Sequence, residues 1–200
     1  MIRTRHSMSV PPSTPPGLVS LLSPADADDP DLVAEITDLV NRVYAGDEVG
    51  LWVDGATRTT QAEIASWIRS EQIAIARVDR QLVGTIRIQQ LETGDGDFGL
   101  LTAAPGHRGV GIGRALVEFA ERRSWERGAS RMQLELLVPR TWMHPFKEFL
   151  RAWYTRIGYR IVRVTTLDET YPALMPQLAT ACDLVVFRKD LRAGLDAADR

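Results

Sequence analysis

The residues best suited to chemistry are the twelve from Pro105 to Leu116, Pro-Gly-His-Arg-Gly-Val-Gly-Ile-Gly-Arg-Ala-Leu. Glycines at 106, 109, 111 and 113 let the main chain approach a ligand with no Cβ in the way. An amphipathic stretch follows at once, so the segment reads as a loop opening a helix. Free N–H groups and the positive end of the helix dipole favour an anion there. Arg108 and Arg114 stand where charge-assisted bonds to phosphate oxygens are within reach, and a pyrophosphate suits the whole. Two familiar phosphate loops fail the spacing. A P-loop requires Lys-Ser/Thr after its last glycine, and Ile112-Gly113 stand in those places. A dinucleotide fingerprint starting at Gly109-Val110-Gly111 meets Arg114 where a third glycine belongs, and the strands before it read as antiparallel. What remains is Arg-x-x-Gly-x-Gly, met by Arg108, Gly111 and Gly113.

The elements that must hold this loop follow from periodicity. Leu18–Leu22 reads as a short strand. Asp29-Pro30 is a helix start with Asp as N-cap, followed by the stripe Leu32, Ile36, Leu39, Val40, Val43. Thr60 and Glu63 form a capping box ahead of Ile64, Trp67 and Ile68. Strands are expected over 72–78, 81–90 and 97–103, joined by short turns as an antiparallel meander. The loop then opens a helix over 111–127, with Ile112, Ala115, Leu116, Phe119 and Ala120 as its core face and Gly128 as its stop. A strand follows over 132–138. The next helix carries Phe146, Phe149, Leu150, Trp153 and Ile157 at helical spacing and ends at Gly158. Strands over 159–166 and 183–188 complete the chain. The expected architecture is α/β, in the α+β sense: a mixed, mostly antiparallel sheet of about seven strands flanked by about four helices. Residues 1–17 read as a disordered Pro-rich leader, 18–190 as one domain and 191–200 as a polar tail; Met8 is an alternative start to Met1.

Composition removes several functions. A formal net charge of -2 and 44% hydrophobic residues exclude a disordered chain and a whole-chain nucleic-acid binder. No apolar run approaches the ~18 residues that span a bilayer. A single cysteine, Cys182, excludes an internal disulfide and a multi-cysteine zinc site, and no metal is expected. It reads as a buried, inert thiol, and a reducing cytoplasm is the expected compartment. Charge is unevenly spread. Residues 105–163 hold twelve basic and five acidic residues, while 25–48 hold eight acidic and one basic. A basic half suits phosphates.

The loop Arg108-Gly109-Val110-Gly111-Ile112-Gly113, after a strand ending Leu101-Thr102-Ala103, resembles the acetyl-CoA loop of GCN5-related N-acetyltransferases, the GNAT family. Tyr154-Thr155-Arg156-Ile157-Gly158-Tyr159 resembles that family's Tyr-x-x-x-Gly-[Phe/Tyr] at the end of the next helix, and the element order agrees over about Leu18 to Lys189. The resemblance implies an acyltransferase that moves acetyl from acetyl-CoA to an amine by direct attack in a ternary complex. The acceptor is a small amine or an exposed amino group, with no nucleic acid or membrane involved. Oligomeric state stays open, a homodimer being one option. A non-catalytic acyl-CoA-binding regulatory domain is the alternative.

The same resemblance assigns roles. Acetyl-CoA lies where the strand ending at Ala103 splays from the strand 132–138. Main chain at Leu101, Thr102 and Ala103 bonds the thioester and pantetheine, and residues Arg108 to Arg114 hold the diphosphate. Lys147 stands where the family often has Asn and is read as a phosphate contact. Tyr154 is the general acid at the departing sulfur. Glu135 is the candidate base, with Asp97, His107, His144 or a water chain as other options. Trp142 and His144 either line the acceptor pocket or pack.

Overall fold

The side chain of Asp29 accepts from the amides of Asp31 and Leu32, both at 3.1 Å, and Pro30 fills the first helical position, so α1 begins where the sequence puts it and runs Pro30–Asp47. Thr60 and Glu63 close the capping box that starts α2, Gln61–Arg69. The computed structural model describes residues 18–191, so the Pro-rich leader and residues 192–200 lie outside the described residues. Leu191, assigned to the tail, is buried and its amide donates to the Ser130 carbonyl at 2.9 Å, so the core extends one residue further than expected.

The strands are β1 (Val19–Leu21), β2 (Ile73–Val78), β3 (Gln81–Gln90), β4 (Gly96–Ala103), β5 (Arg131–Pro139), β6 (Arg160–Thr166) and β7 (Cys182–Asp190). They form one sheet in the order β1-β2-β3-β4-β5-β7-β6. Every neighbouring pair is antiparallel except β4 and β5. Helix α3 (Ile112–Glu126) connects that one parallel pair, α4 (Pro145–Arg156) follows β5, and the short α5 (Leu167–Thr170) opens the β6–β7 connection. The seven-stranded mixed sheet with four principal helices is the expected architecture.

Period-two alternation divides the core between two sheet faces. Ile86, Ile88, Phe98, Met132, Leu134, Leu136, Val185 and Phe187 meet α3 and α4 on one face. Ile73, Ile75, Leu82 and Leu100 meet α1 and α2 on the other, and Leu137 and Leu184 join a smaller cluster with Leu51 and Cys182. The apolar stripe of α4 meets the core in part: Leu150, Trp153 and Ile157 pack half-buried against it, the fully buried residues are Lys147 and Tyr154, and Phe149 is 53% exposed.

Two glycines let main chain and helices close on the sheet. A Cβ on Gly84 would stand 2.7 Å from the Thr102 carbonyl and 2.9 Å from Ile112, the first residue of α3; one on Gly96 would meet Ser124 and Met132 at 2.6–2.7 Å. Backbone cannot give way as a flexible side chain can. Gly84→Ala is therefore expected to cost about 1–3 kcal/mol, read as a lowered denaturation midpoint at unchanged m-value. An unchanged midpoint would show that α3 can lift off β3 without loss.

Candidate active site

The sheet opens in its middle. β4 and β5 pair only over Gly96–Phe98 against Met132–Leu134. Beyond Leu134, β5 keeps its full ladder with β7 to Pro139, and β4 keeps its ladder with β3 to Ala103, so the facing edges diverge into a wedge. A bulge helps to turn β4 away. Between the pairs Arg87↔Gly99 and Thr85↔Thr102, β3 spends one residue and β4 spends two, Leu100 and Leu101, with Leu100 at φ +50°. Bulges re-aim strands next to active sites. The Ala104 amide donates to Val83 at 2.8 Å. Strand alternation then turns Thr102 main chain toward β3 and leaves the Ala103 N–H facing the wedge. The Thr102 hydroxyl is buried on the Leu100 carbonyl. Of the three expected contacts here, Ala103 is therefore the one presented, Thr102 serves the sheet, and Leu101 lies in the bulge.

At the wide end of the wedge a short turn, Pro105–His107, leads into the glycine loop. Gly109 and Gly111 take φ +79° and +94°, which only glycine adopts without strain, and Gly111 is the N-cap of α3. The amides from Gly109 to Arg114 donate to no acceptor among the described residues; the first helical bond is Ala115 N–H to the Gly111 carbonyl at 2.9 Å. Six consecutive free donors at a dipole's positive end are a cradle for an anion. The basic side chains are less free than expected. Arg108 is bound to both oxygens of Asp47 at 2.7–2.8 Å and lies 5.5 Å from the Phe146 ring centre. Arg114 pairs with Glu118 at 2.7 Å, four residues on along the helix. Lys147 is not a phosphate contact. It is buried and forms an ion pair with Glu48 at the end of α1, whose carboxylate also accepts from the Trp52 indole. A lysine so enclosed has no path to a ligand phosphate.

Tyr154 reaches the wedge from the α4 side. It is 5% exposed, its ring centre 5.0–6.1 Å from those of Phe98, Trp153, Tyr159 and Phe187. Its hydroxyl has no hydrogen-bond partner among the described residues. Burial holds its pKa well above the ordinary tyrosine value, with a smaller contribution from Tyr44. The neighbouring Tyr159 is fully buried, and its hydroxyl is held by Glu121 at 2.8 Å with Lys189 on the same carboxylate.

On the α1–α2 face, Asp97 and Glu135 flank the apex. Asp97 sits on the last stretch of β4 that pairs with β5, and Glu135 follows the last paired residue of β5. Burial raises the Asp97 carboxyl to about 7; the Gln89 amide, donating at 3.0 Å, opposes this rise and nearby Glu135 adds to it. Glu135 accepts from the Tyr171 hydroxyl at 2.6 Å. No local pattern sets Asp97 apart from other carboxylates, because its shift comes from burial between three strands. His107 lies in the turn before the loop, and neither it nor His144 hydrogen-bonds this pair. His144 is the N-cap residue of α4; it is buried, its ring is 5.3 Å from Trp142, and its Nδ1 has no partner among the described residues. Trp142 packs within reach of Gly50, so this joint closes the α1–α2 loop against α4. Cys182 is buried, its thiol pushed up to about 11 by burial, as expected of an inert cysteine. The described residues contain no cluster of potential metal ligands and no helix long and apolar enough to cross a membrane.

The acetyltransferase (GNAT) domain family model matches residues 69–161, which hold the meander, the wedge, the loop and Tyr154. No curated protein matches the chain. Among solved structures it is similar to an aminoglycoside 6'-N-acetyltransferase complexed with coenzyme A, at 18% identity over 86% of this chain and 96% of that one, with a TM-score of 0.64. It is also similar to the ribosomal-protein-alanine N-acetyltransferase of Brucella melitensis, at 17% identity over 86% and 99%, TM-score 0.60. A third is yncA of Salmonella typhimurium, solved with its cofactor acetyl-CoA, at 13% identity over 86% and 92%, TM-score 0.61. These likenesses establish the fold, and the acetyltransferase (GNAT) domain family model falls on the segment that forms the wedge and the loop.

Proposed function

We propose that this protein transfers an acetyl group from acetyl-CoA to the nitrogen of an amine, by direct attack while both are bound. The observation that carries this reading is the juxtaposition of an unpaired wedge with six free amides at the start of α3. The residues present fit acetyl-CoA: the amides of 109–114 suit its diphosphate, Gly109, Gly111 and Gly113 admit it closely, and the wedge accepts an extended arm whose amides complete the missing β4 ladder. Related folds solved with coenzyme A or acetyl-CoA support the same co-substrate. The thioester supplies an activated acyl carbon.

The chain's own groups do the rest. Asp97, raised to about 7, takes the proton from the acceptor ammonium, with Glu135 as the second carboxylate holding that nitrogen. The free amine then forms the C–N bond as the C–S bond breaks. Charge growing on the carbonyl oxygen is stabilised by the Ala103 N–H. Tyr154, kept protonated by burial, donates to the leaving sulfur and regains a proton as the new amide nitrogen sheds its second one, so that thiol and amide both leave neutral. Holding both reactants in one wedge supplies much of the remaining acceleration. The buried, free thiol of Cys182 supports a reducing compartment, the cytoplasm.

The test is thermal unfolding with acetyl-CoA, CoA, ATP and NAD, followed by thiol release over an amine panel. Acetyl-CoA at ~100 times its Kd is expected to add about 2.7 kcal/mol of stability; stabilisation by ATP alone overturns the reading. Acetyl-CoA binding without thiol release on any amine makes the protein an acyl-CoA-binding domain instead.

Asp97 gives the rate a signature in pH. With its folded pKa near 7, kcat/KM should fall as pH drops below neutrality and the carboxylate is protonated. Asp97→Asn should remove that limb and lower the plateau by ~10²-fold, within the usual range for a general base. Stability moves the opposite way. A carboxyl raised from 3.8 to about 7 on folding stabilises the fold at acid pH and loses that contribution as pH rises through 7. The Asn variant should therefore be the more stable protein at pH 8, by at most about 4 kcal/mol and less at this half-buried site.

A further inference from the structure

Asp97 takes its one side-chain hydrogen bond among the described residues from Gln89, its register partner on β3, whose Nε2 donates to Oδ2 at 3.0 Å. A glutamine amide has a donating and an accepting end, and only the first supports a carboxylate. Arg87 decides which end is presented. Its Nη2 donates to the Gln89 Oε1 at 2.7 Å, which turns the amide nitrogen toward Asp97. The guanidinium is itself fixed. Its Nε donates to the Gln72 Oε1 at 2.9 Å, and its central carbon lies 4.3 Å from the centre of the Trp67 ring on α2. A continuous line of contacts thus runs from α2 through Arg87 and Gln89 to the carboxylate.

The other charged groups of this face are placed differently. On the β5 side, Gln133 is the register partner of Asp97, and its Oε1 accepts from Arg188 of β7 at 3.3 Å. Arg188 also lies 3.8 Å from Asp95, which Arg131 binds at 2.9 Å. Glu135 is held by the Tyr171 hydroxyl, Glu63 of α2 by its capping box, and Tyr159 on the opposite face by Glu121. Arg87 and Arg188 each stand one glutamine away from Asp97, and neither closes on it. A guanidinium paired directly with the carboxylate would hold it ionised far below neutrality and occupy the lone pairs that an ammonium needs. An interposed amide passes on orientation and leaves Oδ1 without a partner among the described residues.

We propose that Arg87 is a positioning residue for Asp97: it fixes the Gln89 amide so that Oδ2 is held and Oδ1 is presented to the acceptor ammonium. This rests on the acetyl-transfer reading and deepens it.

The experiment follows the Asp97 carboxyl carbon by 13C NMR across pH, its signal identified by its loss in Asp97→Asn, beside kcat/KM by thiol release over the same range. A hydrogen bond to the ionised form favours that form. Arg87→Met, which keeps the stem against Trp67, and Gln89→Leu should therefore each move the titration to higher pH by about 0.5–1 unit. On the acid limb kcat/KM should fall ~3–10-fold, one unit being tenfold there. Because Arg87 acts through Gln89, the double variant should titrate with Gln89→Leu and not at the sum of the two shifts. A structural role alone would lower the melting temperature and leave the titration in place. That result would overturn the proposal, as would a shift to lower pH in either variant or additive shifts in the double one. Absence of thiol release from the wild-type protein is a different failure. It removes the transferase reading, and the NMR titration still decides whether Arg87 governs this carboxyl.

Discussion

Tyr154→Phe should lower kcat by ~10²-fold, at the modest end of general-acid effects, while the melting temperature and the affinity for acetyl-CoA stay close to wild type. The structure makes this an unusually clean substitution. The hydroxyl has no hydrogen-bond partner among the described residues, so its removal strands no buried donor, and the aromatic cage of Phe98, Trp153, Tyr159 and Phe187 keeps every ring contact. A phenol whose pKa is held above its ordinary value is a poor source of a free proton. The expected contribution is a hydrogen bond that strengthens as charge gathers on sulfur, with transfer late in the step. The loss should accordingly be larger for acyl donors with basic thiol leaving groups than for those with acidic ones. Steady-state kinetics with two such donors reads this directly. Unchanged kcat in the variant, or a loss independent of the leaving group, takes Tyr154 out of the chemistry and leaves it as packing.

The second large effect concerns stability. Lys147→Met should cost about 3–5 kcal/mol, the usual result of breaking a buried ion pair, and lower the melting temperature by about 10 °C. Both side chains are almost wholly enclosed, at 4% and 6% exposure, and the pair ties the end of α1 to the start of α4. Methionine keeps the length of the lysine stem and removes its charge, leaving the Glu48 carboxylate with the Trp52 indole as its partner. Adding Glu48→Gln, which keeps an acceptor for Trp52, should recover more than half of the loss. Chemical denaturation of the two variants beside wild type decides it; a single variant as stable as wild type would mean the pair contributes nothing.

What the sequence revealed and concealed follows the range of the interactions. Caps at Asp29 and Thr60, the strands and the glycine loop are written in residues within a few positions of each other; the caps and the loop stand where expected and the strands lie within two residues of their expected limits. The partners of Lys147 and Arg108 lie 99 and 61 residues away. Chain-local patterns carry no trace of such pairs, so both cations looked available for phosphate. The bulge at Leu100 hides in a Leu-Leu doublet that fits either face of a strand. Helix α4 was legible in part: Leu150, Trp153 and Ile157 of its apolar stripe pack against the core, while Phe149 is exposed and the buried Lys147 answers to a carboxylate at the end of α1. Asp97 became distinct only once three strands enclosed it.

The short β4–β5 ladder has one more consequence. Three rungs join β1–β4 to β5–β7, so the sheet is two leaves on a narrow spine. A ligand arm lying in the opening supplies rungs that the polypeptide itself leaves out. Occupancy would then clasp the leaves together, and the act of loading the donor would also bring the groups of one leaf, Asp97 and Ala103, into fixed register with Glu135 on the other.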